Sequence, residues 1–363
     1  MSKELPKPIS AGSPSLRPTQ AAQVVELRRA IDQELEEGRR RTEVLKTLRA
    51  VALGFLPTRR TQDRQLTRQV RLGRDLYVTV TFTGTKNGVA LPFGADRLLL
   101  HGLFHMAIER GQRRITFESA AQLLELMGVD KSGRSYRRLR QSLERIAALH
   151  ISVATSDLPG DGDRGANLVV VDQWHLPSRE SKASTSEHEQ QLALPGMAKL
   201  EPHFVELSQA LMDQLESSGE SQLLVRLDVL RLCTGKPKLF DLVMFLFHRC
   251  GAARTESVVP HDALMDLFQT GTEDDRKTIY RLRKYLNLLR EAIGYAQDGT
   301  PRLNAELVEM EPEASTGPGR KTKRWGLRIR PSSQWPISTG SRAAARGRVL
   351  DWQTDEPRRL GNS

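Results

Sequence analysis

One order of elements occurs twice along this chain, and it limits the possible folds more than any other feature. In the first pass, residues 75–91 alternate as strands do, with 76–82 the clearest run and turns at Thr83-Gly84 and Asn87-Gly88. A helix then opens at Gly94 and Asp96, carries Leu99, Leu103, Met106 and Ala107 on one face, and closes at Gly111. After the short apolar piece Ile115-Thr116-Phe117 comes a second helix, from Ser119 to Met127, ending at Gly128. A third begins near Ser132. Its residues Tyr136, Leu139, Leu143, Ile146 and Ala147 share one face and predict a buried stripe, while Arg134, Arg137, Arg138, Arg140 and Gln141 point elsewhere. Two strand-like pieces, 150–154 and 167–171, close the unit around a Gly/Asp-rich loop at 157–166.

The second pass repeats the scheme. Phe204-Val205-Glu206-Leu207 reads as a strand, Ser208 caps a helix through Leu215, and the apolar run 224–233 reads as helical. Residues 238–250 form a helix with Phe240, Val243, Met244 and Phe247 on one face, followed by a brief strand at 257–259 and a short helix at 261–268. Gly271 and Thr272 turn the chain into its most regular helix, where Ile279, Leu282, Leu286, Leu289 and Ile293 keep a spacing of three and four. Arg276, Lys277, Arg281 and Lys284 lie opposite, with Tyr280 and Arg283 at the flanks. A ribbon, 303–310 and 325–330, ends the unit around the basic loop 317–324.

Helix, short strand, helix, turn, basic helix and ribbon is the order of a winged helix, whose last helix lies in the major groove. The expected fold is therefore α+β and helix-rich: two tandem winged-helix (helix-turn-helix plus β-wing) domains behind an N-terminal extension. The boundaries read as 1–70 for a disordered segment and helical extension, 75–177 for the first domain, 178–198 for a linker or long wing-proximal loop, 199–335 for the second domain, and 336–363 for a tail in which Trp352 is a docking candidate. Residues 1–19 are too polar to offset the entropy of ordering, whereas 20–56 favour helix, with Leu27, Ile31 and Leu35 as a stripe for packing on the body or on a second copy.

Charge points to the partner. The 55 Lys+Arg exceed the 44 Asp+Glu, giving a net +11, which favours polyanions because neutralised phosphates release counterions. No apolar run is long enough for a membrane span and no signal-peptide core leads the chain, so no membrane is expected and the reading is cytoplasmic, associated with nucleoid or plasmid DNA. The two cysteines, Cys233 and Cys250, sit in apolar helical surroundings and read as free thiols.

Double-stranded DNA is the expected ligand. The leading contacts are Arg137, Arg138, Arg281 and Lys284, and the fuller set adds Arg134, Ser135, Gln141, Arg276, Lys277 and Tyr280. Arginine both pairs phosphate oxygens and offers a bidentate fork to guanine, so sequence leaves open which of these groups read bases. Ser132, Ser135 and Thr278 stand where hydroxyls either donate to phosphates or cap and brace their own helices, and both readings stand. Arg320, Lys321, Lys323 and Arg324 read as a wing tip in preference to a solvated charge run.

No catalytic machinery, cofactor or metal is expected. His101 and His105 are four apart but lack the glutamate of the zinc-protease motif and a third ligand, and read as a packed or surface pair. Neither Gly235-Lys236-Pro237 nor Gly319-Arg320-Lys321 fits the phosphate-cradling loop of nucleotide hydrolases. No two histidines are separated by a single residue, which disfavours a nicking enzyme built on a His-x-His metal pair.

Leu91-Pro92-Phe93-Gly94 leading into Arg97-Leu98-Leu99-Leu100, then Ile115-Thr116-Phe117, Met127-Gly128 and Tyr136-Arg137-Arg138-Leu139, resemble the plasmid-encoded RepA-type replication initiator family. In the second unit, Asp241-Leu242-Val243-Met244-Phe245-Leu246-Phe247-His248-Arg249 is similar to that family's Asp-Leu-Tyr-x-Trp-Leu-x-x-Arg helix, departing at Val243 and Phe245, and Trp325-Gly326-Leu327 to Pro331-Ser332 is similar to its closing strand. The likeness spans residues 75 to 335. It implies an initiator that binds direct repeats in a plasmid origin, opens neighbouring A·T-rich DNA, and recruits the host initiator and replicative helicase. It also implies a homodimer that represses its own promoter, a form of copy control. The competing expectation is a winged-helix transcriptional repressor without a replication role.

Overall fold

The computed structural model describes residues 18–36, 44–71, 77–127, 129–156, 164–176, 203–216, 222–253, 255–267, 275–295, 302–310 and 324–330. The expectations for 1–17, for most of the loop 157–166, for 178–198, for 317–323 and for the tail with Trp352 lie outside these. In chain order the first part contains α1 (Pro18–Glu36), β1 (Val44–Leu48), α2 (Arg49–Leu53), β2 (Gln65–Arg71), β3 (Tyr77–Gly84), α3 (Asp96–Arg110), β4 (Arg114–Phe117), α4 (Ala120–Leu126), α5 (Gly133–Ala147), β5 (Leu149–Ser156), β6 (Arg164–Val169) and β7 (Val171–His175). The second contains β8 (His203–Leu207), α6 (Gln209–Glu216), β9 (Gln222–Arg226), α7 (Leu227–Arg231), α8 (Pro237–Ala252), β10 (Ser257–Pro260), α9 (His261–Leu267), α10 (Asp275–Ile293), β11 (Ala305–Met310) and β12 (Arg324–Ile329). The fold is mixed α/β.

The helices of the first pass lie where start and stop signals put them. Gly111 adopts the left-handed conformation, with φ of 59°, and returns its N–H to Ala107 at the end of α3. Gly102, midway along α3, lets α4 come close, since a Cβ there would overlap the Leu126 side chain. Ser132 caps α5 by accepting from the Ser135 N–H.

Sheet membership departs from the sequence reading. Residues 150–154 and 167–171, expected as the ribbon of the first unit, belong to a four-stranded antiparallel sheet in the order β2-β3-β5-β6. The strand after α3 pairs elsewhere: β4 hydrogen-bonds β8, and β8 hydrogen-bonds β7, giving the order β4-β8-β7. Strand 203–207, read from sequence as the start of the second unit, thus completes a sheet of the first. In the second pass the order is β10-β12-β11, again first strand, third strand, second strand. Alternation marks a strand but does not name its partner, and that is why the pairing was misread.

The region 20–56 is not one helix. Residues 44–48 and 222–226 pair antiparallel as β1 and β9, with Lys46 opposite Leu224. Each strand runs straight into a five-residue helix, α2 or α7. The run 224–233, expected to be helical, is therefore strand and then helix, because a short apolar run takes the form its tertiary partner offers. Along α1, Val24, Leu27 and Ile31 are buried and α1 packs against α10, which decides the stripe in favour of the body.

A buried joint ties α3 to α8. Arg97 pairs with Asp241, both side chains nearly inaccessible, and also donates to the Pro237 carbonyl at 3.0 Å. Burial pushes the Asp241 carboxyl up, opposed by Arg97, Lys238 and Arg68. Beside this pair, His101 Nδ1 lies 2.7 Å from Thr47 Oγ1 and its ring stacks on Phe240 at 5.6 Å. His105 Nδ1 accepts from the Lys46 N–H at 3.3 Å. The two histidines, four apart on α3, thus fasten α3 to β1. One apolar core runs through both passes.

Candidate nucleic-acid interface

The basic face of α5 is built by fixing its other face to α3. Leu139, Leu143 and Ile146 are buried. Asp96, in the first turn of α3, accepts from Ser142 Oγ at 2.5 Å and from Arg145 at 2.6 and 3.0 Å, while the Arg145 guanidinium lies 4.7 Å from the Phe93 ring centre. Arg140 donates to the Leu176 carbonyl at 3.1 Å. The C-terminal half of α5 is therefore immobilised. Arg134, Arg137, Arg138 and Gln141 are all exposed, pointing away from this anchor.

Two details of α5 differ from expectation. Tyr136, placed in the buried stripe by spacing, is 39 % exposed and joins the basic face. Ser135, by contrast, is buried and donates to Asp130 Oδ1 at 2.8 Å. Hydrogen bonds from Ser132 and Ser135 hold the Asp130 carboxyl below its ordinary range. Both serines thus brace the turn into α5. The exposure of Tyr136 had one legible signal: it stands in the first turn, where a helix has not yet entered the core.

On α10, Leu282, Leu286, Leu289 and Ile293 are buried, and Thr278 is buried with them. Lys277 is exposed, Tyr280 is 62 % exposed, and Arg281 and Lys284 are half-buried. The far end is held by Arg290, which donates to the Ala305 carbonyl at 2.9 Å, and by Arg302, which bridges Asp32 of α1 at 2.7 Å and the Ile293 carbonyl at 3.2 Å. Arg276 and Arg324 fall at the starts of α10 and β12 with side chains outside the described residues, and Arg320, Lys321 and Lys323 lie outside them altogether.

The two helices superimpose in register. Ser135, Leu139, Leu143 and Ile146 of α5 correspond to Thr278, Leu282, Leu286 and Leu289 of α10, buried position for buried position at one constant spacing. The open positions correspond as well: Arg134 with Lys277, Arg137 with Tyr280, Arg138 with Arg281, Gln141 with Lys284. Each helix is preceded by helix, strand and helix and followed by strands.

The remaining titratable groups are structural. Burial lowers His101 and His248 to about 3, keeping both neutral, and raises the Cys250 thiol to about 12. Cys233 is pushed up too, and both cysteines are free and buried. Among the described residues, no group of three metal-ligating side chains occurs, and no helix is long and apolar enough to cross a membrane.

Residues 51–202 match the family described as Replication initiator protein A, which bears out the resemblance drawn from the motifs of residues 91–139. The similar motifs at 241–249 and 325–332 lie beyond that match. Among solved structures the chain is similar to the crystal structure of RctB domains 2-3, at 13 % identity and a TM-score of 0.51, covering 80 % of this chain and 99 % of that one. It also matches the selenomethionine derivatives of domains 2 and 3 of RctB, at 13 % identity and a TM-score of 0.43, over 77 % of this chain and 95 % of that one. The first likeness places the fold in company with those domains. None of the curated proteins matches the chain. The family match supports a role in initiating replication.

Proposed function

We propose that this chain initiates plasmid replication by gripping repeated duplex DNA sites with two winged-helix units, inserting α5 and α10 into major grooves. The observation that carries the proposal is the register between the two helices, in which equivalent buried positions face the core and equivalent basic positions face solvent. In this reading β4-β8-β7 and β10-β12-β11 are the two wing sheets, which makes 177–202 and 311–323 the wing loops. Arg134, Arg137, Arg138, Gln141, Lys277, Tyr280, Arg281 and Lys284 face the DNA, with phosphates giving affinity and base edges giving specificity. Two tethered units raise each other's effective concentration on one duplex, so neither needs to bind tightly alone.

Opening of A·T-rich DNA, recruitment of the host initiator and helicase, and a homodimeric repressing form complete the proposal. It involves no catalytic step. Footprinting of the full chain on its parent replicon is the test. Direct repeats beside an A·T-rich tract are expected; protection of an inverted repeat over a promoter alone would make the chain a transcriptional repressor. Arg137→Ala is expected to shorten protection on one side of each repeat and Lys277→Ala on the other. A variant that loses a base contact should lose about 1–3 kcal/mol of discrimination, whereas loss of a phosphate contact weakens all sequences alike. Unchanged protection by both variants would remove α5 and α10 from the interface.

A further inference from the structure

A cavity of about 340 Å³ lies where the two passes meet, between the segment 58–60, the start of α3 and the turn from α7 into α8. Its floor is apolar and partly aromatic: Phe93, Leu98, Met127, Leu230 and Phe240. The mouth is cationic, with Arg59, Arg60 and Lys236, and no acidic side chain lines it among the described residues. Arg59 and Arg60 are exposed and form no ion pair with a described residue. Lys236 Nζ donates to the Leu232 carbonyl at 3.2 Å, which leaves its charge uncompensated by any carboxylate there. Thr234, also in the lining, has its hydroxyl oxygen buried without a hydrogen-bond partner.

Elsewhere on the molecule arginines are met by acids. Arg97, Arg145, Arg226, Arg302, Arg328 and Arg330 each pair with a carboxylate. Two unpaired arginines and a lysine around an apolar hollow therefore form a distinct arrangement. Cavities of this size, apolar with a few convergent polar groups, are the usual form of small-ligand sites. The ligand must combine a flat apolar body for the floor with a negative group for the mouth.

We propose that this cavity binds a single nucleotide unit. The base lies on Phe93 and Phe240, the phosphate is held by Arg59, Arg60 and Lys236, and the Thr234 hydroxyl bonds the base or sugar. Aromatic stacking accepts any base, and guanidinium groups suit a phosphate. The unit is either a free mononucleotide or one residue of a single strand, since both present the same chemistry. The site is separate from the basic faces of α5 and α10, so it does not depend on the duplex reading.

The test is titration of the full chain with an anthraniloyl-labelled adenosine monophosphate, followed by fluorescence, with unlabelled competitors. Saturable binding displaced by adenosine monophosphate, but not by inorganic phosphate or adenosine at the same concentration, is expected. Arg59→Ala/Arg60→Ala should weaken binding by at least about tenfold, as loss of charge-assisted hydrogen bonds does, with an unchanged melting temperature because both residues are exposed. Thr234→Val should weaken it less, and Arg137→Ala not at all, which separates this site from the duplex interface. Displacement by a short A·T-derived single strand assigns the site to a strand, and its failure to displace assigns it to free nucleotide; both support the proposal. Absence of saturable binding, displacement by phosphate alone as effective as by the nucleotide, unchanged binding by the double arginine variant, or displacement only by an acidic tryptophan peptide would overturn it.

Discussion

The helices α5 and α10 share a buried register and differ in what holds them. The support of α5 is local: Asp96 at the head of α3 takes hydrogen bonds from Ser142 and Arg145, about 46 to 49 residues away in sequence. That of α10 is remote, since Val24, Leu27 and Ile31 of α1 pack against it and Asp32 reaches Arg302 across 270 residues. One face can thus be presented either from within a unit or from the opposite end of the chain. The second basic helix is exposed to anything that loosens the N-terminal segment; the first is not.

The largest expected effect comes from the joint that both share. Asp241→Ala leaves Arg97 buried and uncompensated and should cost about 3–5 kcal/mol, read as a lower midpoint in urea, with both halves of any footprint lost together. If the halves were lost separately, α3 and α8 would not be coupled through this pair. Next, Ile31→Ala removes a side chain that is 1 % exposed and should cost about 2–5 kcal/mol. It should impair contacts made by α10 while sparing those of α5, and the hydroxyl deletion Ser142→Ala, at about 1–2 kcal/mol, should do the reverse. Equal effects on both helices would erase the distinction drawn above.

The smallest effect concerns pH and treats the halves alike. His101 on α3 and His248 on α8 are both lowered by burial to about 3, from an ordinary value of 6.5. The unfolded chain binds more protons than the folded one between these values. The stability from keeping them neutral is therefore complete above pH 6.5 and declines as pH falls toward 3, by about 1.4 kcal/mol per pH unit for each histidine. Thermal melts from about pH 7 to pH 4 should decline less steeply for His101→Gln, even though its starting stability is lower. An unaltered slope would show that His101 does not contribute to the acid limb.

What could be read in the sequence was local. Gly111 at the end of α3, Ser132 at the head of α5 and the leucine spacing of α10 are signals confined to a few residues, and each stands where expected. The exposed Arg134, Arg137, Arg138 and Gln141 followed from the same periodicity. What was misread depends on distant partners. Residues 44–48 are a strand because 222–226 lies alongside, and 203–207 joins β4 and β7 across an interval that no periodicity reports. In β2, Leu66, Arg68 and Val70 alternate with Gln65, Thr67 and Gln69, a pattern diluted by Arg68 on the face that is elsewhere apolar. The cavity was invisible for a related reason: its lining comes from four separated stretches of chain, none of which carries a motif.

The pairing of β4 with β8 and of β1 with β9 also sets a timetable for synthesis. As the polypeptide leaves the ribosome, β4 must wait with an unmatched edge until residue 207 has emerged, and β1 until residue 226. Unmatched edges invite association with other nascent chains, so the growing molecule passes through a vulnerable interval that a pair of self-contained modules would avoid. A fragment cut after β7 would make that interval permanent.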